Sequence, residues 1–417
     1  MKKQYLCIDL KTFYASVECV ERGLNPFEIN LVVADKSRGR GALCLAITPC
    51  MKKAGVKNRC RLFEIPKYMQ YIIAKPRMKL YMEYSANIYG IYLKYFSKDD
   101  IYVYSVDEAF FDITPYLNYY NMSALEIAEM ILDDVYNTTG ITATCGIGTN
   151  LYLAKIAMDI IAKHNDSNIG YLNEELYTEK LWNHKPLTDF WQIGNGIANR
   201  LLKYGVDDME GISKLPEHVL YNEFGVNARF LIRHAWGKES VTIQQIKDYK
   251  PQHNSISNSQ ILFKDYNYQD ALLILKEMVE INVLQLSEKH VSTDHIHLYI
   301  GYSQNVIKST GGSRKISVRT NVYSILLEEF VKLFKQTTNK NYPIRQIGIS
   351  FGDVKDEEFE YYDLFTDQQE IEKEKRLQNA LNEIKYKYGK NSVFKCMNLM
   401  DNATQLQRNK LIGGHAE

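Results

Sequence analysis

Three acidic side chains carry the chemistry that this sequence can support: Asp9, and the adjacent pair Asp107 and Glu108. Asp9 lies at the end of "QYLCIDL" (4–10), an apolar run that reads as a strand. Asp107 and Glu108 stand between 101–106 and 109–113, two short runs rich in Val, Ile, Tyr and Phe. So tight a connection predicts a hairpin, and hairpin turns favour Asn-Gly or Asp-Gly. Two like charges at that point need compensation, and a bound cation is the simplest source. If the strands are neighbours in one sheet, their ends bring three carboxylates together. Magnesium suits such a point, because it keeps waters and takes phosphate oxygens as further ligands. Two ions held this way stabilise both the attacking and the leaving oxygen of an in-line phosphoryl displacement. The plain alternative is an exposed acidic turn; the apolar flanks and the strand end at Asp9 weigh against it.

The elements that must position these groups follow from the pattern of apolar residues. Residues 12–22 have helical spacing, with Phe13, Ser16, Val17 and Val20 along one side. Short strands ("NLVVAD", "ALCLAIT") and a basic helix ("PCMKKAG") occupy 26–79. A Tyr-rich helix at 81–96, a helix at 123–138, a strand at 142–148 and a helix at 150–163 complete an α+β layer. The expected sheet is mostly antiparallel and ends near residue 163, before the turn-rich "HNDSNIG" (164–170). Glycine-punctuated helices fill 171–240, and 241–253 reads as a polar linker. Residues 254–355 have the order β-α-β-β-α-β, and 356–417 reads as an acidic tail with a last helix near 369–388.

A chain of 417 residues implies two to four domains, and 45% hydrophobic residues fit a folded protein. No apolar run is long enough to span a membrane, and the start "MKKQYLCIDL" reads as a strand rather than a signal peptide. The seven cysteines form no CxxC pair, which argues against zinc or disulfide frameworks and for a reducing, cytoplasmic setting. The net charge is only +1, but residues 26–79 hold 12 Lys/Arg against 3 Asp/Glu. Residues 353–374 hold 10 acidic against 2 basic residues. The basic block points to a polyanion partner, with solvated surface as the bland alternative.

The motifs also carry a resemblance. "IDLKTFYASVE" (8–18), "YSVDEAFFDIT" (104–114) and "CGIGTNLYLAKIAMD" (145–159) resemble the palm motifs of Y-family DNA polymerases of the DinB/UmuC lesion-bypass type, in that family's order. "SISNS" (255–259) resembles the start of the family's little finger. "LVVADKSRGRGALCLAITPCMKKAGV", "RLFEIP" and "RNKLIGGH" are similar to UmuC-like proteins of Gram-positive bacteria. The resemblance implies a right-hand polymerase: palm at 1–25 and 80–166, small fingers at 26–79, and helical thumb at 167–240. It further implies a little finger at 254–355 and a tail at 356–417. It implies a template-directed, low-fidelity translesion DNA polymerase that extends a primer with dNTPs in DNA damage tolerance and repair.

In that family's pattern, Asp9, Asp107 and Glu108 hold two Mg²⁺ ions (Mn²⁺ as substitute), with the Leu10 carbonyl as a further ligand and Ser105 shaping the hairpin. Tyr14 matches the steric gate that closes against a ribose 2′-hydroxyl, with Phe13 beneath the sugar. Lys52 and Lys155 match basic residues at the triphosphate, and the backbone N–H groups of Phe13 and Tyr14 face phosphate at a helix start. Lys11 replaces a second aspartate that is not a metal ligand. Pro49 replaces a triphosphate-binding tyrosine, a contact that Thr48 is expected to supply.

"FWQIGNGIANRLLKYGV" (190–206) resembles a helix-hairpin-helix, in which Gly194 and Gly196 let backbone N–H groups approach a DNA phosphate. In "GGSRKISVRT" (311–320), Arg314 shares a strand face with Ile316 and Val318, and Lys315 shares the other with Ser317 and Arg319. A basic strand of this kind fits DNA backbone contact. "FEYYDLFTD" (359–367) resembles a peptide that docks on the bacterial sliding clamp, with Leu364 and Phe365 as anchors and Tyr361 in place of the usual glutamine. His295 and His297 read as strand residues. Expected partners are primer-template DNA, dNTPs, the clamp and accessory repair proteins, with no membrane. Two other readings compete: a nucleotidyl cyclase, and a catalytically silent DNA- and clamp-binding repair protein.

Overall fold

Strand β1 (Tyr5–Leu10) is the spine of the first half of the molecule, with Leu6, Cys7 and Ile8 fully buried. A computed structural model describes residues 3–251, 254–303, 306–364 and 366–416. The chain forms two compact units, Met1–Tyr249 with His415–Glu417, and Lys250–Gly414.

In the first unit β1 leads into α1 (Phe13–Val20) through Thr12, whose φ of 46° is a left-handed conformation seldom adopted by threonine. Strands β2 (Leu31–Val33), β3 (Ala46–Ile47) and β4 (Ile72–Ala74) form a small sheet ordered β3-β2-β4, with α2 (Pro49–Lys53) following β3. Helix α3 (Met78–Tyr95) returns the chain to β5 (Ile101–Val103) and β6 (Glu108–Asp112). After α4 (Thr114–Tyr120), α5 (Ala124–Thr139) starts at a Ser123–Glu126 capping box and ends at left-handed Gly140. Then come β7 (Ala143–Gly148), α6 (Leu151–Ile156) and β8 (Ile169–Leu172). The main sheet has the order β5-β6-β1-β7-β8, with β1 antiparallel to β6 and β7, and β7 parallel to β8. The expected sheet ended near residue 163, whereas β8 is a fifth strand drawn from the supposed break.

Helices α7 (Glu174–Leu181), α8 (Asn195–Leu201), α9 (Met209–Lys214), α10 (Glu217–Phe224) and α11 (Ala228–Ala235) bury a second core around Tyr177, Phe190, Leu201 and Leu220. The expected linker at 241–253 is partly a helix, α12 (Ile243–Asp248), started by a Thr242–Gln245 capping box. Ile243 is buried with Tyr5, Cys7 and Phe110 of the main sheet. Ile243 and Ile246 give a single i, i+3 pair in a six-residue helix, too short a pattern to stand out from the polar stretch around it.

The second unit follows the expected order: β9 (Ile256–Tyr266), α13 (Tyr268–Glu288), β10 (Val291–Tyr302), β11 (Thr310–Thr320), α14 (Tyr323–Thr337) and β12 (Ile344–Gly352). Its strands lie as β11-β10-β12-β9, all antiparallel, over a core of both helices. The segment expected to be a tail is built into this unit. After a two-residue strand β13 (Lys355–Asp356), α15 (Gln368–Tyr388) docks through Gln378 Nε2 to Asn321 O (3.0 Å) and Asn382 Nδ2 to Leu284 O (2.9 Å). Buried Glu277 accepts bonds from Asn398 Nδ2 (2.8 Å) and the Thr404 N–H (2.9 Å), fixing the chain beyond α15.

In the first unit the His234 ring stacks on Tyr152 at 3.9 Å, and its Nε2 lies 3.1 Å from Glu239 Oε2. Burial opposes the Glu239 charge, but His234 and the N–H groups of Val241 and Ser240 hold its carboxyl down at about 2. A carboxylate with a depressed folded pKa stabilises the fold above its unfolded value and loses that contribution as pH falls toward the folded one. The unfolding temperature is therefore expected to drop more steeply between about pH 5 and pH 3 in the unmodified protein than in Glu239→Gln. Calorimetry at several pH values checks this, and equal slopes would refute it.

Candidate active site

The register of β1 on β6, and the turn that precedes β6, bring the carboxylates together. Asp9 pairs across β1 and β6 with Glu108, and the Leu10 N–H donates to Asp107 O at 2.9 Å. The turn is tightened as expected for Ser105: its Oγ donates to Asp107 Oδ1 at 2.7 Å, and the N–H groups of Tyr104 and Ser105 both reach Glu108 O. Strand β6 starts at Glu108 itself, so this residue belongs to the ladder and only Asp107 to the turn. Glu108 is buried and Asp107 half-buried. Burial, and then the nearby Asp107 and Glu108, push the Asp9 carboxyl up to about 6, with Lys163 acting the other way. Crowded carboxylates of this kind accept a divalent cation readily, so the residues fit the expected metal.

The row of residues beneath them was only partly foreseen. Lys155, expected at the triphosphate, is buried, and its Nζ pairs with Glu108 Oε1 (2.9 Å) and Asp159 Oδ2 (3.0 Å). Burial opposes its charge, yet Cys7, Asp159 and Glu108 together push its pKa up. The missed residues are Asp159 and Lys163: Lys163 Nζ lies 2.7 Å from Asp159 Oδ1 and 3.9 Å from Asp9 Oδ2. Their signal was present as Lys-x-x-x-Asp-x-x-x-Lys, in which each neighbouring pair has the i, i+4 spacing of a helix ion pair. Lys11 hydrogen-bonds to Asn168 and lies near Asp9. Lys52, at the end of α2, has its pKa lowered by burial and by Lys163 and Lys11, with Asp9 countering. Four ammonium groups thus surround Asp9.

Thr48 does not replace a triphosphate contact. It is fully buried; its Oγ1 donates to Ile29 O (2.7 Å) and accepts from the Leu31 N–H (3.1 Å), pinning the small sheet. Phe13 is buried and Tyr14 half-buried at the first turn of α1, where the leading N–H groups have no partner within the helix. The Tyr14 ring stacks on Tyr81 (4.5 Å, 17°). Tyr81 in turn donates to the fully buried Glu18 (2.7 Å), which Arg77 also grips through two bonds of 2.9 and 2.8 Å. Burial works against the Glu18 charge, but Arg77, Tyr81 and Arg22 hold its pKa low. This buried support for Tyr14 lies across 63 residues of sequence and had no local signal.

Gly194 and Gly196 are exposed at the start of α8, and an added Cβ at either would meet nothing within 4 Å. They leave an open surface rather than fill an internal contact. On β11, Lys315 is exposed, whereas Arg314 pairs with Glu329 at 3.5 Å. Arg319 departs from expectation: it is buried, bound to Asp294 and to Asp353 Oδ2 (2.6 Å), and donates to Asp353 O (2.6 Å). Among the described residues the one metal-capable trio with ligand atoms all within 4.8 Å is Asp294, His295 and Asp353. Arg319 pairs with Asp294 and Asp353 there, as Lys155 pairs with Glu108 and, at longer range, Lys163 with Asp9 in the first unit. His297 bonds to Ser313, as fits a strand residue. Tyr361 is also engaged: it pairs with Arg319 through both backbone bonds, and its hydroxyl donates to Asp294 (2.9 Å). Leu364 is fully exposed, and Phe365 lies outside the described residues.

This architecture is that of a right-hand polymerase of the Y family. The fold matches a solved Y-family DNA polymerase chimera of Dbh and Dpo4 with a TM-score of 0.64 and 20% identity, covering 85% of this chain and 99% of that one. Residues 8–159 match the impB/mucB/samB family and residues 253–364 its C-terminal domain. A Bacillus subtilis (strain 168) protein, UvrX, whose name ascribes it to UV-damage repair, is 30% identical over 99% of this chain and 98% of its own length. DNA polymerase IV 2 of the same organism is 28% identical over 99% of both chains. The chain belongs to the impB/mucB/samB family of Y-family DNA polymerases. Polymerases of this family depend on metal ions in general, and no helix among the described residues is long and apolar enough to cross a membrane.

The lysine row depends on one close approach. An added Cβ at Gly146 would lie 2.0 Å from Ala154 O and 2.3 Å from Met158 N, and one at Gly148 would lie 2.1 Å from Ala154 N. Only glycine lets α6 rest on the β7 backbone. Gly146→Ala is expected to cost at least about 1–3 kcal/mol of stability through overpacking. Urea denaturation measures it, and an unchanged midpoint would show that the approach is not tight.

Proposed function

We propose that this protein is a template-directed, low-fidelity translesion DNA polymerase that extends a primer 3′-hydroxyl with dNTPs by two-metal phosphoryl transfer. The observation that carries the reading is the meeting of Asp9 with Asp107 and Glu108 across β1 and β6. These three carboxylates and the Leu10 carbonyl would hold two Mg²⁺ or Mn²⁺ ions. Such ions, when bound, lower the pKa of the attacking hydroxyl and neutralise the triphosphate and the leaving pyrophosphate. The chain's own part is positioning and charge. Lys52, Lys163 and the first N–H groups of α1 face the phosphates, and the Tyr14 ring, braced by Tyr81, closes on the sugar. The first unit would supply palm, fingers and thumb, and the second the little finger. Gly194, Gly196 and Lys315 are the surfaces offered to DNA backbone, while Arg319 is committed inside its unit.

Docking on a sliding clamp rests on Leu364, since Tyr361 is tied to Arg319. A cytoplasmic setting and accessory repair partners complete this reading. The intact carboxylates disfavour a silent DNA-binding protein, and the second α+β unit disfavours a cyclase.

Primer extension on damaged and undamaged templates tests the reading. Extension with dNTPs and Mg²⁺ is expected, reduced by more than about a hundredfold in Asp107→Ala, since losing a ligand exceeds the usual cost of losing its support. Protein that binds DNA yet never extends it would favour the silent reading. Tyr14→Ala is expected to relax discrimination against ribonucleotides by at least about tenfold, the scale of a shape-based rejection. Unchanged sugar selectivity would remove Tyr14 from the gate.

A further inference from the structure

The lysines under the carboxylates are organised by a residue outside every role assigned so far. Glu108, Lys155, Asp159, Lys163 and Asp9 form a chain of alternating charge, with links of 2.9, 3.0, 2.7 and 3.9 Å. Asp159 is its midpoint and grips one lysine with each oxygen. From the other side Cys7 Sγ donates to Glu108 Oε1 at 3.4 Å, so Glu108 is held front and back. The last link is the long one: Lys163 is leashed to Asp159 and only leans toward Asp9.

Helix geometry explains how three residues spaced four apart stay in line. In an α-helix each four-residue step overshoots a full turn by about 40°, so two steps would carry Lys163 off the face of Lys155. Here Ala157–Ile161 is a π-helical turn, which is underwound and offsets that drift. A surface ion pair would need no such device, and Glu108 and Lys155 are buried.

We propose that Asp159 is a positioning residue of the metal site: its carboxylate holds Lys155 under Glu108 and restrains Lys163 beside Asp9, keeping the metal carboxylates balanced in charge yet open to incoming cations. Without that carboxylate the carboxylates left to the two ammonium groups, among the described residues, are Glu108 and Asp9. They then compete with the cations for the same oxygens, at a site where burial strengthens every charge contact. The restraint also leaves Lys163 free to pass from Asp9 to an arriving triphosphate. This inference rests on the polymerase reading above.

Mn²⁺ binding tests it without requiring turnover. The protein is mixed with a dideoxy-terminated primer-template and the complementary dNTP, and free Mn²⁺ is read by electron paramagnetic resonance. Asp159→Asn, which keeps the size and removes the charge, is expected to weaken Mn²⁺ binding by about tenfold, as loss of support behind a metal ligand does. DNA affinity and unfolding temperature should stay at the unmodified values. Asp159→Glu should recover most of the loss, and adding Lys163→Gln to Asp159→Asn should recover part of it by removing a competitor. Unchanged Mn²⁺ affinity in Asp159→Asn would overturn the proposal. So would a loss that follows a lowered unfolding temperature and is not recovered by Asp159→Glu. If the unmodified protein neither binds Mn²⁺ in this mixture nor extends a primer, the polymerase reading fails instead.

Discussion

Like charges crowded at the end of one strand pair set the terms for the rest of the first unit. Asp9 and Glu108 face each other across β1 and β6, and Asp107 is one residue away. Water alone solvates them poorly there, as the raised Asp9 pKa of about 6 records. Part of the fold's answer is Lys155 and Lys163, carried together on the segment that follows β7. That segment can reach the site only because Gly146 and Gly148 let its backbone lie on β7. Sheet order, the glycine pair and the π-helical turn are therefore parts of one solution. A loose lysine on a surface loop could neutralise these charges on average, but it could not hold a fixed place among them.

Much of this was legible in the sequence because its signals are local. The acidic pair between apolar runs, Ser105, the capping box at Ser123 and the β-α-β-β-α-β order all follow from short-range patterning. What escaped depends on partners distant in sequence. Lys155 looked like a phosphate ligand until the contact of α6 with β7 placed it under Glu108. Arg319 sits at a strand position whose alternation predicts exposure, yet Asp294 and Asp353 bury it in ion pairs. Thr48 is neither surface nor site, because Ile29 and Leu31 use its hydroxyl. A polar residue is read as exposed by default, and each of these cases is a polar residue whose hydrogen bonds are satisfied inside.

The same distinction explains how a chain of net charge +1 can serve a polyanionic substrate. Net charge counts every ionised group equally, but attraction of DNA depends on those left facing solvent. Lys155 and Arg319 are consumed by internal carboxylates and contribute nothing outward. Lys163 is exposed but restrained by Asp159. Lys315 and most of the 12 basic residues at 26–79 stay at the surface, where only 3 acidic residues oppose them. The 10 acidic residues at 353–374 offset this block in the total while lying in a different unit. Charge is thus partitioned by burial and by position, and a nearly neutral sequence keeps basic residues at the surface of each unit while the lysines under the carboxylates are held in place.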